Sequence, residues 1–388
     1  MDDSSFLLAN VALEHESYGL HFFVLLLSNQ YRLTRSSMSP LQAAKHVVLE
    51  YTHAFDQAPS AQLADVLTTH THENYHWRGL HPFHEMDGAE AVCTTFWQPL
   101  RESFTSLQRR VDIFLAGDNI VHTEANDAAS SDIWVCQMGH FMGLFDRPWL
   151  DIPSTHRMTF IRFAEFHRVE EGKIAESALF IDLIGVMRQA GQNPLPPQTG
   201  SSFIYPGPKT HDGLLFEPQP ADAGTETLDL INRMIEDLSA ANAHALKTND
   251  NKVPPSVLAK SWHNDMIWYG PEGIGATYTI ERYQHQHQYP FRYNLAGKTF
   301  NGHIARFAEG NYGCFFGWPN LTNTSTGGFL GMTGSGTPAD MRVVDVYRRD
   351  GDKLAENWVI IDLPHWLAMQ GLDVLARMRQ LLGIEEVS

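Results

Sequence analysis

Basic residues are scarce in this chain. Lys and Arg number 28 against 45 Asp and Glu, a net charge of −17 over 388 residues. A phosphate backbone is gripped by clustered Lys and Arg, so this balance speaks against a nucleic-acid partner. Cysteine is nearly missing: Cys93, Cys136 and Cys314 lie far apart, with no CxxC pair. That excludes a disulfide framework and a thiolate metal site, and it fits a reducing, cytoplasmic setting. Long apolar runs are lacking too. "GLHFFVLLL" (19–27) follows an acidic start. It is too short for a span of about 20 residues and has no basic n-region of a secretory signal, so no membrane partner is expected.

What the chain does contain is a copy of itself. "RFAEFHRVEEGKIAESALFIDL" from Arg162 and "RVVDVYRRDGDKLAENWVIIDL" from Arg342 align without a gap at a shift of 180 residues, which carries Asp182 onto Asp362. Arg168/Arg348, Lys173/Lys353, Glu176/Glu356 and Gly191/Gly371 fall in register. An upstream block repeats at a shift of 191, pairing His72/His263, Trp77/Trp268, Gly79/Gly270 and Arg101/Arg292. The first copy is therefore eleven residues longer between the blocks, where "TEANDAASSD" stands. Solenoid units run only ~20–50 residues, so repeats this long are whole domains. The expected organisation is an N-terminal extension (1–37), a first domain (38–191), a Pro-rich linker (192–224) and a second domain (225–388). The linker's seven prolines favour extended chain, and its interspersed apolar residues suggest that it lies against the domains. Each copy opens with a helical pattern, "LQAAKHVVLEYTHAF" or "TLDLINRMIEDLSAANAHAL", continues in alternating strands, and closes in a helix. The fold class is α+β, with helices packed on a curved antiparallel sheet.

The stretch "GHFMG…IPSTHR…FIRFAEFHRVEEGKIAESALFIDLIGVMRQAG" resembles the SnoaL-like polyketide cyclases of the nuclear-transport-factor-2-like and ketosteroid-isomerase-like superfamily. The resemblance covers most of 40–191 and, more loosely, 225–385. It implies two tandem cone-shaped domains, each a bent sheet with N-terminal helices around an apolar pocket. It also implies an acid/base role for the Asp that ends the last strand, here Asp182 and Asp362. Where the family often carries a His ahead of a glycine-bearing strand, this chain has Gln137 in one copy and Asn311 in the other. Trp77 and Trp268 would open the strand beside the pocket mouth.

The residues also stand on their own chemistry. Asp182 lies between Ile181 and Leu183, and Asp362 between Ile361 and Leu363. Desolvation there raises a carboxyl pKa and suits proton transfer, while an Asp at a strand-to-helix junction equally suits a helix N-cap. Gln137, Asn311 or a nearby His would hold a developing enolate oxygen. Glu176 and Glu356 suit surface ion pairs. Of the cluster His70, His72, His76, His81 and His84, only His72 recurs, as His263. No Cys or carboxylate completes a ligand pattern, so no metal is expected and His72 and His263 read as pocket-rim residues. His285 and His287 fall on a pocket-covering helix. Trp77 and Trp268 serve as stacking platforms or as core. The expected function is proton transfer in a small apolar carbonyl compound, giving cyclisation, isomerisation or dehydration without a cofactor. The alternative is a non-catalytic small-molecule-binding protein. Either would be an intramolecular pseudo-dimer, with further homodimerisation left open.

Overall fold

The computed structural model describes residues 38–121, 132–202, 204–248 and 253–384. The expected extension and most of "TEANDAASSD" lie outside them. The chain divides into two compact units, Met1–Ala43 and Ala44–Ser388. Of the first, only 38–43 are described, ending in the opening residues of helix α1 (Pro40–Gln57).

The second unit is α+β and holds two sheet-rich bodies. The first sheet runs β2-β1-β6-β5-β4-β3. Its strands are β1 (Thr71–Gly79), β2 (His84–Asp87), β3 (Phe104–Asp118), β4 (Ile133–Phe145), β5 (Met158–Glu170) and β6 (Lys173–Ile181). All pairs are antiparallel except β1 with β6, which is parallel. Glu171 and Gly172 both take positive φ at the β5–β6 turn, the geometry that matches strand twist in a two-residue hairpin. In α1, Ala44, Val48, Tyr51 and Phe55 are buried at helical spacing, which explains why this face packs down.

The second body contains β7 (Trp262–Tyr269), β8 (Ala276–Tyr278), β9 (Leu295–Phe300), β10 (Ala305–Glu309), β11 (Tyr312–Phe316), β12 (Leu321–Ser325), β13 (Pro338–Met341), β14 (Val343–Asp350) and β15 (Lys353–Ile361). Six form a sheet ordered β10-β11-β14-β15-β7-β8, again with one parallel pair, β7 with β15. Both repeat offsets appear in the ladders. Glu165 faces Leu179 as Asp345 faces Val359, and Trp77 faces Ser177 as Trp268 faces Asn357.

The bodies differ where long strands are cut. Beside β3 and β4, the second body has the shorter β9 and β10, then β11 and β12. Gly302, at φ 103°, interrupts the first pair, and Gly317-Trp318-Pro319 interrupts the second, where proline lacks a ladder donor. β9, β12 and β13 consequently form a separate three-stranded sheet. Within this unit, Phe316 packs against Phe166 (4.7 Å), Trp134 (5.5 Å) and Phe180 (5.7 Å), bringing apolar faces of the two main sheets together. Segment 192–224 is hydrogen-bonded to both: Leu215 N donates to Phe114 O, and Trp358 Nε1 to Pro206 O. No described helix is long and apolar enough to cross a membrane.

Candidate active site

A cavity of about 170 Å³ lies inside the second body. Strand alternation builds one wall: Val343, Asp345 and Tyr347 point one way from β14, and Asn357, Val359 and Ile361 from β15. The helical stretch 280–294 supplies Tyr283, His287 and Phe291 at four-residue spacing, and β7 supplies Trp268. Met234 and Leu238 of helix α6 (Ala221–Thr248) add apolar surface; the intervening α2 (Leu63–His70), α3 (Ala89–Val92), α4 (Gln98–Ser103) and α5 (Leu183–Gln189) belong to the first body.

Asp345 is the cavity's one acidic group. Asn357 Nδ2 (3.2 Å) and Tyr347 OH (3.1 Å) both donate to Oδ1, and among the described residues Oδ2 accepts no hydrogen bond. Burial pushes this carboxyl up to about 6, against the downward pull of the two donors. Burial likewise pushes the His287 imidazole down to about 3, so the ring is neutral near pH 7. His287 stacks on Trp268 at 4.1 Å, and its buried Nδ1 has no hydrogen-bond partner among the described residues. The arrangement sets a protonatable carboxylate, a neutral imidazole and an aromatic face around one small apolar space.

The first body treats the matching position differently. Glu165, 180 residues before Asp345, accepts from Arg109 Nη1 at 2.6 Å and from Gln137 Nε2 at 2.8 Å. Burial alone would raise its carboxyl, but Arg109 and His167 hold it down at about 2. The Arg109 guanidinium sits over Phe141 (4.9 Å) and Phe163 (5.4 Å). This carboxylate is already neutralised by its own neighbours.

Asp182 and Asp362 have another geometry. Asp182 Oδ1 accepts from Gly185 N (3.1 Å), the N-cap bond of α5, while Oδ2 accepts from Glu272 N (2.8 Å). Asp362 Oδ1 accepts from His365 N (3.2 Å) at the start of helix Leu363–Met369, and Oδ2 from His81 N (3.0 Å). Glu272 follows Trp268 by four residues, as His81 follows Trp77. Each aspartate thus caps its own helix and holds the loop of the opposite body. Burial raises both carboxyls, that of Asp362 to about 6. Asp182 also borders a 450 Å³ cleft with Arg162, Arg188 and Glu272, where Arg188 pairs with Glu272 at 2.6 Å.

The other expected residues scatter. Trp268 lines the cavity, whereas Trp77 is fully buried against Phe96 and Phe83. Gln137 is buried on Glu165. The register partner of Glu165 is Gln137 and that of Asp345 is Phe315, so Asn311 is not its counterpart. Asn311 stands exposed at the β10–β11 turn, its carbonyl accepting from Arg349 N. His72 Nε2 meets Glu170 O (2.8 Å) and His263 Nε2 meets Asp350 O (3.0 Å), each steadying a hairpin away from the cavity. Glu176 and Glu356 pair with Arg168 and Arg348. Among the described residues no group of three or more His, Cys, Asp or Glu is placed to hold a metal ion. Sequence reasoning missed Asp345, Tyr347 and Asn357. The available signal was an acid recurring at 165 and 345 on the inward face of an otherwise apolar strand, three residues before the shared Arg.

The sequence of residues 46–190 matches the profile described as SnoaL-like polyketide cyclase. Over these residues the first body is similar to the SnoaL-like polyketide cyclases. The second body lies beyond the matched stretch and shares with the first the repeated sequence blocks. Among solved structures, a candidate SnoaL-like polyketide cyclase from Jannaschia sp. CCS1 is 22% identical; 42% of this chain covers 99% of it, at a TM-score of 0.30. IdmH from Streptomyces antibioticus, described as a candidate polyketide cyclase, is 18% identical, with 38% of this chain covering 99% of it and a TM-score of 0.29. An NTF2-like protein from Burkholderia xenovorans LB400 is 13% identical, with 38% covering 97% and a TM-score of 0.28. No curated protein matches the chain.

Proposed function

We propose that the second body catalyses proton transfer within a small carbonyl compound, with Asp345 as the acid/base group. The observation that carries this reading is a carboxylate with one oxygen unengaged on an apolar cavity and a pKa raised to about 6. Such a group takes a proton at neutral pH and returns it readily. Asp345 removes a proton from carbon next to the carbonyl, leaving an enolate. The proton then returns to another carbon, which isomerises the compound. If the enolate instead attacks a second carbonyl, a ring closes and Asp345 returns its proton to the alkoxide formed; if it expels a β-hydroxyl, protonated by Asp345, water leaves. His287 and Tyr283 supply polar atoms for the enolate oxygen. Asp182 and Asp362, with both oxygens on backbone N–H groups, are assigned to capping and not to proton transfer. The first body, with its paired Glu165, serves as scaffold.

The test is carbon-bound hydrogen exchange in D₂O, followed by NMR on cyclohexanone and cyclohex-3-enone. Wild type should accelerate exchange, and Asp345→Asn should lose about 10²–10⁴-fold, the usual contribution of a general base. Ligand binding without any exchange above buffer would favour the non-catalytic binding protein.

A further inference from the structure

The cavity restricts what can occupy it by volume, by charge and by shape. An apolar cavity of about 150 Å³ is known to take benzene, and pockets for drug-sized ligands run to roughly 300–1,000 Å³. At about 170 Å³, this one holds a single ring with small substituents. Among the described residues no lysine or arginine lines it, and its one acid is Asp345. An anionic ligand would meet the like charge of Asp345 in a low-dielectric space, with Arg292 and Arg306 acting only from behind the lining Tyr283 and Tyr347. Trp268 and His287, stacked on each other at 4.1 Å, both contribute aromatic surface to the lining. His287 Nδ1, buried without a partner among the described residues, leaves a polar demand that a ligand oxygen or hydroxyl can meet.

We propose that the second body selects an uncharged, single-ring oxygenated compound of the cyclic-ketone or phenol class, and rejects fused-ring and carboxylate-bearing compounds. The proposal rests on the cavity identified above but concerns what binds, which is separable from whether Asp345 turns it over. A multi-ring polyketide exceeds the cavity's 170 Å³. The ring lies against the Trp268–His287 pair, with its acidic carbon toward Asp345.

Isothermal titration of the full chain at pH 7 with four probes tests this: cyclohex-2-enone, phenol, 2-naphthol and benzoate. The enone and phenol should bind saturably, with NMR shifts at Trp268 and His287. Naphthol, which adds a ring, and benzoate, which adds a charge, should each be at least about tenfold weaker. Trp268→Ala should abolish the enone's binding. Asp345→Asn should recover benzoate about tenfold relative to wild type by removing the like charge. Naphthol or benzoate binding wild type as tightly as the enone would overturn the proposal, as would no probe binding at all. Enone binding without hydrogen exchange sinks the catalytic reading and leaves this one standing. Exchange in 2-tetralone, run alongside, but not in cyclohexanone does the reverse.

Discussion

A carboxylate buried beside a guanidinium and one buried beside an amide and a phenol titrate in opposite directions, and Glu165 and Asp345 are that pair. Arg109 keeps Glu165 ionised, whereas Asp345 is held near 6 by burial against two neutral donors. If Asp345 is the base, the rate falls as pH drops through about 6 and levels above it. Asn357→Leu and Tyr347→Phe each remove a donor that favours the charged form, so each should move that midpoint upward, as a rate–pH profile will read. Stability has its own sign. A carboxyl raised from about 4 when unfolded to about 6 when folded favours the folded state at acid pH, and this contribution is lost as pH rises between those values. Asp345→Asn should therefore flatten that part of the wild-type stability–pH curve in urea titrations. Arg109→Met leaves Glu165 buried and uncompensated and should cost about 3–5 kcal/mol, largely restored by adding Glu165→Leu.

At the scale of elements, the junction after each last strand links a cap to the opposite body. Asp362→Ala removes the cap of Leu363–Met369, worth about 1 kcal/mol, and strands the His81 N–H at a further ~1–3 kcal/mol. Asp362→Asn keeps an acceptor for one of these bonds and should cost less. Both variants should keep their rate per folded molecule, measured below the unfolding transition. A loss of rate like that expected of Asp345→Asn would instead return the acid/base role to Asp362. The strand interruptions matter equally. Gly302 and Pro319 divert β9, β12 and β13 into a second sheet, and Leu321 of β12 and Met341 of β13 face the cavity.

At the scale of the Ala44–Ser388 unit, the two main sheets share an apolar face around Phe316, and the buried Lys45–Glu309 pair joins α1 to β10. Glu309 also accepts from Ala116 N, so the polar centre of this contact is satisfied. The bodies should therefore unfold as one cooperative transition, with calorimetric and van't Hoff enthalpies equal. Phe316→Ala should lower stability by about 3–5 kcal/mol without splitting the transition, since the cavity is shared by both sides. Two transitions in the wild type would show instead that each body folds by itself.

The sequence by itself determined the repeat, the α+β class and the SnoaL-like resemblance, because these rest on periodicity and on residues matched in order along the chain. It also marked Trp268 and, on its helix, His287. Gln137 was read as a donor to an enolate oxygen, and folding instead sets it on Glu165. Which acid faces an empty space was decided only by tertiary structure. Asp182 and Asp362 look identical to a catalytic pair in one dimension, and nothing local reveals that Glu272 and His81, from the opposite bodies, already occupy their second oxygens. Glu165 and Asp345 likewise share a position, but one is silenced by Arg109, 56 residues away. A carboxylate's proton affinity depends on its desolvation and on the charges within a few ångströms, and folding assembles both from distant parts of the chain.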